Sequence, residues 1–344
     1  MTPDHDAGSH RMFSLVKMLQ SLGHDVCVSA NDAARPATDV GRLEAAGIRV
    51  AAETLPTSEF QLVILSRAPV AARQIQAVKA RWPKARVVFD TVDLHHVRAF
   101  RAARLHGNRA LLQQAMEFRR MEFDLLRMAD QTWVVTEDER EIVRHEVPHA
   151  RVHVVSIPCE IRADTPPFSS RRGALFVGTF LHQPNVDAVQ FYAAEILPKL
   201  RTSLPDFPTR IVGAHPPDGI RALGGNGLEV VGWQRDLAAC YASARLAIAP
   251  LRFGAGLKGK VLEAMSHGLP IVGTSVALEG IPAGHGRDAM IADQPDAFAE
   301  AMLRLSGNEA EWTTLSTRGK KLIHDRFSVE AVRRQLEAAL ADLK

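Results

Sequence analysis

Cysteine is scarce in this chain of 344 residues, which contains only Cys27, Cys159 and Cys240. Their small number and wide spacing are typical neither of a disulfide framework nor of a cysteine-based metal site. We therefore expect a protein of the reducing cytoplasm.

Long apolar segments and a strong charge imbalance are also missing. No run of about 18 apolar residues is present, so the sequence has no candidate for a membrane-spanning helix. Residues 2–11 are polar and lack the apolar region of a secretory signal peptide. A net charge of +3 gives no argument for nucleic acid as a partner. The remaining composition, 46% hydrophobic and 24% charged residues, is that of a globular protein long enough for two domains.

Short β-branched segments alternate with segments of helical period along the chain, which is typical of parallel α/β sheets. The sequence predicts strands at 25–29, 62–65, 87–89, 132–135, 153–156, 174–177, 210–212, 229–231, 246–249 and 271–274. It predicts helices at 9–22, 69–80, 98–128, 138–144 and 329–343, and a further helix through 197 with Asn185 as its N-cap.

Residues 157–172 contain proline and serine without any period, and we interpret them as an interdomain linker. The sequence thus predicts α/β domains at 1–160 and 161–325, followed by a C-terminal helix at 326–344. Two such domains place a cleft between them, and such clefts are preferred ligand sites.

The segment LRFGAGLKGKVLEAMSHG, residues 251–268, joins a predicted strand to a predicted helix through a glycine loop. Glycines let the backbone approach a ligand, and the N-terminus of the helix favours an anion. Lys258 and Lys260 add positive charge. The alternative is a tight turn that Gly254 and Gly256 form for structural reasons alone.

Three phosphate-bearing ligands are candidates for this loop. A nucleoside triphosphate in a Walker A loop is excluded on chemistry, because Val261 stands where a hydroxyl would ligate magnesium. A dinucleotide is supported by Glu279, which lies about twenty residues after the loop, where an acid that binds the ribose is expected. However, the dinucleotide fingerprint follows the first strand of a domain, whereas this loop follows the fourth. The third ligand is a nucleotide sugar: Glu263, facing the same side as Gly256, would bind both ribose hydroxyls while the loop and Lys258 hold a diphosphate.

Several segments together resemble a known family. They are FGAGLKGKVLEAMSHGLPIVGT (253–274), ALFVGTFLHQPNVDAV (174–189), VVGWQRDLAACYASARLAIAPL (230–251), DAGSHRM (6–12), SLGHDV (21–26) and VFDTVDLHHVR (88–98). In this order and spacing they resemble the family 4 retaining glycosyltransferases. The resemblance implies an α/β protein of the GT-B fold, with two Rossmann-like domains whose parallel sheets face a cleft. It leaves open whether the C-terminal helix returns to the N-terminal domain.

The resemblance also implies roles for particular residues. Glu263 resembles the second glutamate of the family's E-x7-E motif, which holds the ribose. The residues at positions that contact the donor in the family are Gly8, Ser9, Gly178, Thr179, Gly254, Gly256, Leu257, Lys258 and Glu263. His95, Asp93 and Lys258 are the candidate catalytic residues.

The sequence departs from the family pattern at three positions. Ala255 replaces the first glutamate of E-x7-E, so the usual carboxylate contact to the donor sugar is missing. An arginine and a lysine often found after the glycine turn are here Thr179 and Asn185. Lys258 is our candidate for supplying the charge lost there. The identity of the donor sugar therefore stays open.

The predicted reaction is transfer of a sugar from a nucleoside diphosphate sugar to a glycan or lipid-linked acceptor, for a bacterial surface polysaccharide. The spacing of Asp90 and Asp93 in DTVD differs from that of a metal-binding D-x-D, and no other ligand cluster is present. We expect no metal and no cofactor.

The resemblance implies retention of anomeric configuration by front-face attack. The leaving phosphate would take the acceptor proton, and no protein general base is assigned. The alternatives are a GT-B sugar-nucleotide epimerase and a catalytically silent nucleotide-sugar-binding protein, the latter suggested by Ala255.

Simpler roles stay open for several of these side chains. His95 and His96 would also suit a loop that caps the helix beginning near Arg98. Asp90 would then only mark the end of a strand. His182 is as consistent with a solvated loop as with a contact to the sugar donor. The arginine-rich stretch 98–127 is usual for a solvated face, and the alternative is peripheral docking on an anionic membrane at the inner face of the plasma membrane.

The first ten residues, MTPDHDAGSH, correspond to a loop that follows a buried strand in the resembled family. We therefore expect that Met1 is not the natural start and that the sheet lacks a strand beside residues 25–29. The alternative is a variant fold in which another segment of the chain fills that position.

Overall fold

A computed structural model describes residues 7–29, 37–51 and 55–343 of the chain. Its Cα atoms divide into two compact units. The first comprises the described residues of Met1–His96, Ala110–Ile157 and Arg333–Lys344, and the second comprises Val97–Arg109 and Pro158–Val332.

The first unit is built on parallel strands with helices between them. Its elements are α1 (Ala7–Ser21), β1 (Cys27–Val28), α2 (Ala37–Ala45), β2 (Arg49–Val50), β3 (Leu62–Ser66), α3 (Ala68–Arg81), β4 (Arg86–Asp90), α5 (Arg109–Met128), β5 (Gln131–Val134), α6 (Glu137–Glu146) and β6 (Val152–Val154). Between β4 and α5 lies α4 (His95–His106), which belongs to the second unit from Val97 onward. A four-stranded sheet has the order β3-β4-β5-β6. Its central strands are apolar on both faces, as parallel strands covered by helices are, and Phe89 and Trp133 are fully buried.

Strands β1 and β2 form a separate two-stranded parallel sheet within the part of the chain that the structure describes. The register pairs Cys27 with Arg49 and Val28 with Val50. The expectation of a missing strand beside residues 25–29 stays a prediction.

The long helix predicted at 98–128 is wrong, because this stretch forms two helices. Helix α4 begins earlier, at His95, and ends at His106, and α5 begins at Arg109. Between them Gly107 has a φ of 61°, the left-handed conformation in which glycine commonly ends a helix. The apolar period continues through both helices, so the sequence pattern hid the break.

The second unit contains a six-stranded parallel sheet of order β12-β11-β10-β7-β8-β9. Its elements are β7 (Arg172–Val177), α7 (Gln183–Phe191), α8 (Leu197–Arg201), β8 (Thr209–Val212), α9 (Asp218–Arg221), β9 (Leu228–Gly232), α10 (Ala238–Ser243), β10 (Ala244–Ala249), α11 (Gly259–Ser266), β11 (Ile271–Gly273), α12 (Ser275–Leu278), β12 (Met290–Ile291), α13 (Pro295–Gly307) and α14 (Glu309–Phe327). The chain adds β8 and β9 on one side of β7 and then β10, β11 and β12 on the other. The strand order therefore reverses between β7 and β10, and ligands of such sheets bind beyond the carboxyl ends of the strands at this point.

The predicted N-cap at Asn185 is wrong. Helix α7 begins at Gln183, two residues earlier, and the N-cap residue is His182. Proline at the first helical positions is preorganised for a helix start, and Pro184 stands there. Asn185 lies inside the first turn, where its side-chain nitrogen donates to the Thr179 carbonyl over 2.7 Å.

Helix α15 (Val329–Ala341) belongs to the first unit from Arg333 onward. The Ala339 carbonyl accepts a hydrogen bond of 3.0 Å from Gln131 Nε2, and Gln335 Oε1 accepts one of 2.9 Å from the Ser156 amide. The C-terminal helix thus returns to the N-terminal unit. No helix in the described ranges is long and apolar enough to span a lipid bilayer.

Candidate functional site

Two loops flank the point at which the strand order of the second unit reverses. The β7 loop, residues 178–182, follows β7, and the glycine loop, residues 250–258, follows β10 and leads into α11. The first turn of α11 leaves backbone N–H groups without partners inside the helix, and its dipole favours an anion there. Lys258 is the N-cap residue of this helix.

Glycine is required where these loops pack tightly. A Cβ on Gly178 would lie 2.8 Å from both Asn185 Nδ2 and Lys260 Nζ. A Cβ on Gly213, after β8, would lie 2.7 Å from the Gly178 carbonyl carbon and would overlap the oxygen bonded to it. The β7 loop is therefore held by backbone packing on one side and by polar side chains on the other.

Lys260 extends from the first turn of α11 to the β7 loop. Its Nζ donates a hydrogen bond to Asn185 Oδ1 and lies 4.3 Å from the centroid of the Phe176 ring. Burial lowers the pKa of Lys260 to about 7, and the positive charge of Lys258 contributes to the shift. We assigned the charge missing at Asn185 to Lys258 from the sequence, but the lysine that the structure places beside Asn185 is Lys260.

Lys258 instead braces the glycine loop through an acidic partner. Its buried Nζ donates to the Gly256 carbonyl over 2.7 Å and lies 3.2 Å from Glu279 Oε2. Arg101 of α4 makes two hydrogen bonds of 2.6 Å to the Glu279 carboxylate and one of 2.8 Å to the Gly254 carbonyl. Burial alone would raise the pKa of Glu279, but the hydrogen bonds and charges of Arg101 and Lys258 outweigh it and lower that pKa. Glu279 is thus the counter-ion of this loop, and its carboxylate is engaged by two cations.

Glu263 lies on the second turn of α11 and accepts a hydrogen bond of 3.1 Å from the Tyr241 hydroxyl. Tyr241 is buried and stacks on His267 with ring centroids 4.8 Å apart. Burial raises the pKa of Glu263, although Tyr241 and the charge of Arg162 oppose the shift. A carboxylate held in this way is oriented before any ligand arrives.

In the first unit, Gly8 and Ser9 lie in the first turn of α1. Arg11, one turn further, is fully buried, donates over 2.7 Å to the Val155 carbonyl and pairs with Asp90 at 2.8 Å. Asp90 is the last residue of β4. Gly8 and Ser9 therefore stand near the carboxyl ends of the sheet, and Asp90 has the structural role of a buried ion-pair partner.

His95 and His96 begin α4 over a buried carboxylate. Glu122 of α5 accepts hydrogen bonds of 2.7 Å and 3.2 Å from the backbone amides of His95 and His96, and one of 2.5 Å from His96 Nδ1. Burial would raise the pKa of Glu122, but the hydrogen bonds and charges of the His95 and His96 side chains outweigh it and lower the pKa. His95 Nδ1 lies 3.2 Å from the Asp93 carbonyl oxygen and 3.5 Å from Asp93 Oδ1. The structure therefore brings Asp93 and His95 together, while His96 is turned toward Glu122.

Val92, just before this pair, has a φ of 65°, a left-handed conformation that is costly for a β-branched residue. Strained backbone of this kind persists where the surrounding structure imposes it and is frequent at functional sites. In the described part of the chain, no group of three or more His, Cys, Asp and Glu side chains is placed to hold a metal ion.

Residues 171–308 match the family model described as Glycosyl transferases group 1. This part of the chain is therefore similar to the group 1 glycosyltransferases. The match covers β7 through α13 and therefore includes the β7 loop, the glycine loop, Lys260 and Glu263.

Solved structures similar to this chain show that its fold is GT-B. Anabaena HepE, in complex with UDP and glucose, aligns with a TM-score of 0.72 at 13% identity, covering 98% of each chain. Sucrose-phosphate synthase from Thermosynechococcus elongatus aligns with a TM-score of 0.67 at 16% identity, over 83% of this chain and 74% of that one. A mutant of S. aureus TarM, in a complex that contains UDP, aligns with a TM-score of 0.61 at 11% identity, over 74% and 51% of the two chains.

A curated relative of this chain is an uncharacterized 44.6 kDa protein in the cps region of Klebsiella pneumoniae. It is 27% identical over an alignment of 168 positions that covers 46% of this chain. The match spans 43% of the relative's length.

Sequence patterns did not reveal every side chain of this site. Glu122 and Arg101 look like ordinary members of amphipathic helices, and only their tertiary partners distinguish them. The sequence shows that Lys260 adds a positive charge to the glycine segment, but it does not show that this side chain contacts Asn185. Tyr241 lies in the segment 230–251 that resembles the family, but no pattern in the sequence indicates its hydrogen bond to Glu263.

Proposed function

We propose that this protein transfers a sugar from a nucleoside diphosphate sugar to a glycan or lipid-linked acceptor with retention of anomeric configuration. The observation that carries the proposal is the arrangement along one short helix. A glycine loop, a helix N-terminus and two lysines stand one to two turns before an oriented carboxylate, Glu263, at the switch point of a doubly wound sheet. The lysines that would bind a diphosphate thus precede the carboxylate that would accept hydrogen bonds from ribose hydroxyls by three to five residues on one helix.

The donor would be bound by the second unit through its two loops. In this proposal Glu263 accepts hydrogen bonds from the ribose hydroxyls, and the N–H groups at the start of α11 face the diphosphate. The further donor-binding residues that we propose are Gly8, Ser9, Gly178, Thr179, Gly254, Gly256, Leu257 and Lys258.

Departure of a nucleoside diphosphate concentrates negative charge on its phosphate oxygens. Fixed positive groups that are already in place stabilise such charge at little reorganisation cost. Lys258 and the α11 N-terminus are the proposed source of this stabilisation, and Glu279 and Arg101 hold Lys258 in position. The leaving phosphate oxygen takes the proton of the attacking acceptor hydroxyl, so no protein base and no metal is assigned to the step. His95, oriented by Asp93, is assigned to the transferred sugar.

We propose that the acceptor belongs to a bacterial surface polysaccharide made at the cytoplasmic side of the membrane. The location of the Klebsiella relative in a cps region supports this setting. The basic residues of α4 and α5 support peripheral contact with an anionic membrane.

Binding and turnover of nucleotide sugars test the proposal. UDP, GDP and ADP and their common sugars are titrated into the wild type and Glu263→Ala by calorimetry. The variant is expected to lose about 1–3 kcal/mol of nucleotide affinity, the value of hydrogen bonds to a charged group. Glu300→Ala, at an exposed position of α13, is the matched control and should bind as the wild type does.

Labelled donors then separate the reaction classes. Donor hydrolysis or transfer supports the proposal, free epimerised sugar indicates an epimerase, and binding without turnover indicates a silent binding protein. Equal nucleotide affinity in Glu263→Ala and the wild type would remove Glu263 from the site.

A further inference from the structure

We propose that Lys260, held by the Asn185 amide, is a second cation that binds the donor diphosphate and takes up a proton as it does so. This inference rests on the proposed function, because it names a residue of the same donor site. The role of Lys258 in that site does not depend on it.

The position of Lys260 comes from two elements that meet at the switch point. Its backbone belongs to the first turn of α11, after the glycine loop. Its Nζ lies 2.8 Å from the position of a Cβ on Gly178, and so beside the β7 loop. The ammonium group is thus between the two loops that flank the reversal of strand order, where a phosphate would meet both.

The partners of the two lysines differ in charge. Lys258 lies 3.2 Å from the Glu279 carboxylate, a negative partner that it shares with Arg101. Among the described residues, Lys260 donates to the neutral Asn185 amide and lies over the Phe176 ring. A buried cation without a carboxylate partner is costly, and an arriving anion would remove that cost. Lys260 is therefore the lysine of this pair whose charge would be balanced by an arriving anion.

The protonation of Lys260 depends on the same surroundings. The charged or titratable residues on the neighbouring loops and helices are Lys258, Arg252, Asp187, Glu263 and His182. Asp187 is paired with Arg252, and Glu263 is bonded to Tyr241. Burial and Lys258 lower the pKa of Lys260 to about 7, so this side chain titrates in the neutral pH range. A bound diphosphate would favour the charged form, so binding should take up a fraction of a proton.

Calorimetry tests the inference with UDP, GDP and ADP, the matching monophosphates and the nucleosides. Binding heats are measured at about pH 7.5, which lies about half a unit above that pKa. Each titration is repeated in three buffers of different ionisation enthalpy, so that proton uptake is obtained separately from the intrinsic heat of binding. Lys260→Met is expected to bind the diphosphate at least about tenfold more weakly, to change nucleoside affinity less than about twofold and to lose the proton uptake. Lys260→Arg should keep most of the diphosphate affinity and lose the uptake, because arginine does not titrate near neutral pH.

Asn185→Asp gives an independent second variant of similar shape. An aspartate at this position would pair with Lys260 and keep it charged, so both the proton uptake and the preference for diphosphate over nucleoside should fall. Lys199→Met, which changes a surface lysine of α8, is the matched control. Thermal unfolding of each variant shows whether it is folded.

The outcomes separate this inference from the function on which it rests. If the wild type binds none of the three diphosphates, the proposed function fails. The function stands if the wild type binds one of them and Glu263→Ala weakens that binding. The inference on Lys260 is overturned if, in the same experiments, Lys260→Met keeps the wild-type ratio of diphosphate to nucleoside affinity and the wild-type proton uptake.

Discussion

Tyr241 and Glu263 are joined by a hydrogen bond of 3.1 Å in which the buried phenol is the donor. The tyrosine is fixed in turn by its stacking on His267. Because burial strongly disfavours the phenolate, the pKa of Tyr241 is raised well above its ordinary value and the hydroxyl keeps its proton. The Tyr241 hydroxyl therefore remains a hydrogen-bond donor to Glu263 and orients its carboxylate.

Tyr241→Phe keeps the stacking ring and removes this donor. We expect nucleotide affinity to fall about three- to tenfold at about pH 7, the value of one modest hydrogen bond. The pKa of Glu263 should rise further without the bond, so the loss should grow as the pH falls toward about 5. Titrations across this range measure both effects. Tyr192→Phe, which removes a buried hydroxyl bonded to Thr209 elsewhere in the second unit, should leave nucleotide affinity unchanged.

Lys258→Ala should lower donor turnover about a hundredfold while the protein stays folded, as the loss of one preorganised charge at a leaving group commonly does. Turnover is followed as hydrolysis of a labelled donor or as transfer. Lys199→Ala is the control for removal of a surface lysine. A near-normal turnover number would take Lys258 out of the mechanism.

Gly213→Ala should destabilise the second unit by about 2–4 kcal/mol, because its Cβ would overlap the Gly178 carbonyl group. The displaced β7 loop should also weaken nucleotide binding. Gly219→Ala is the matched control, since a Cβ there meets nothing within 4 Å, and it should change stability by about 1 kcal/mol at most. Urea unfolding measures both, and equal stability of the two variants would contradict the packing described for Gly213.

His267 makes stability depend on pH in a defined window. Burial lowers its pKa to about 4, and Arg162, Arg171 and Lys320 contribute to the shift. The unfolded chain protonates the same side chain near about pH 6.5, so the unfolded state binds more protons between these values. Stability is therefore lost as the pH falls from about 6.5 toward 4.

His267→Phe keeps an aromatic ring on Tyr241 and removes this titration. Relative to the variant, the wild type should lose about 1–2 kcal/mol of unfolding free energy between about pH 7 and pH 5. Urea unfolding at both pH values gives the difference, in which other titrating groups cancel. Parallel pH profiles for the two proteins would show that His267 is not the group responsible.

The sequence predicted five of the six strands in the sheet of the second unit, because they are apolar segments bounded by glycine and loops, but it did not predict the two-residue strand β12. The glycine loop and Glu263 could be assigned to one helix start for the same local reason. Long-range side-chain contacts could not be assigned. No pattern shows that Lys260 reaches Asn185, or that Glu122 caps α4. The break at Gly107 was missed because one glycine inside an apolar period does not distinguish a helix end from a tolerated interruption.

The chain passes from one compact unit to the other after His96, Arg109, Ile157 and Val332. Neither unit is therefore a continuous piece of the gene. A fragment that starts at Pro158 would lack Arg101, and Glu279 would lose the arginine that makes two of its hydrogen bonds. A fragment that ends at Ile157 would lack Gln335, and with it the acceptor for the Ser156 amide. Cutting the gene at the linker would give two incomplete halves, so separate expression of either half is expected to yield poorly folded protein even though each contains most of a sheet.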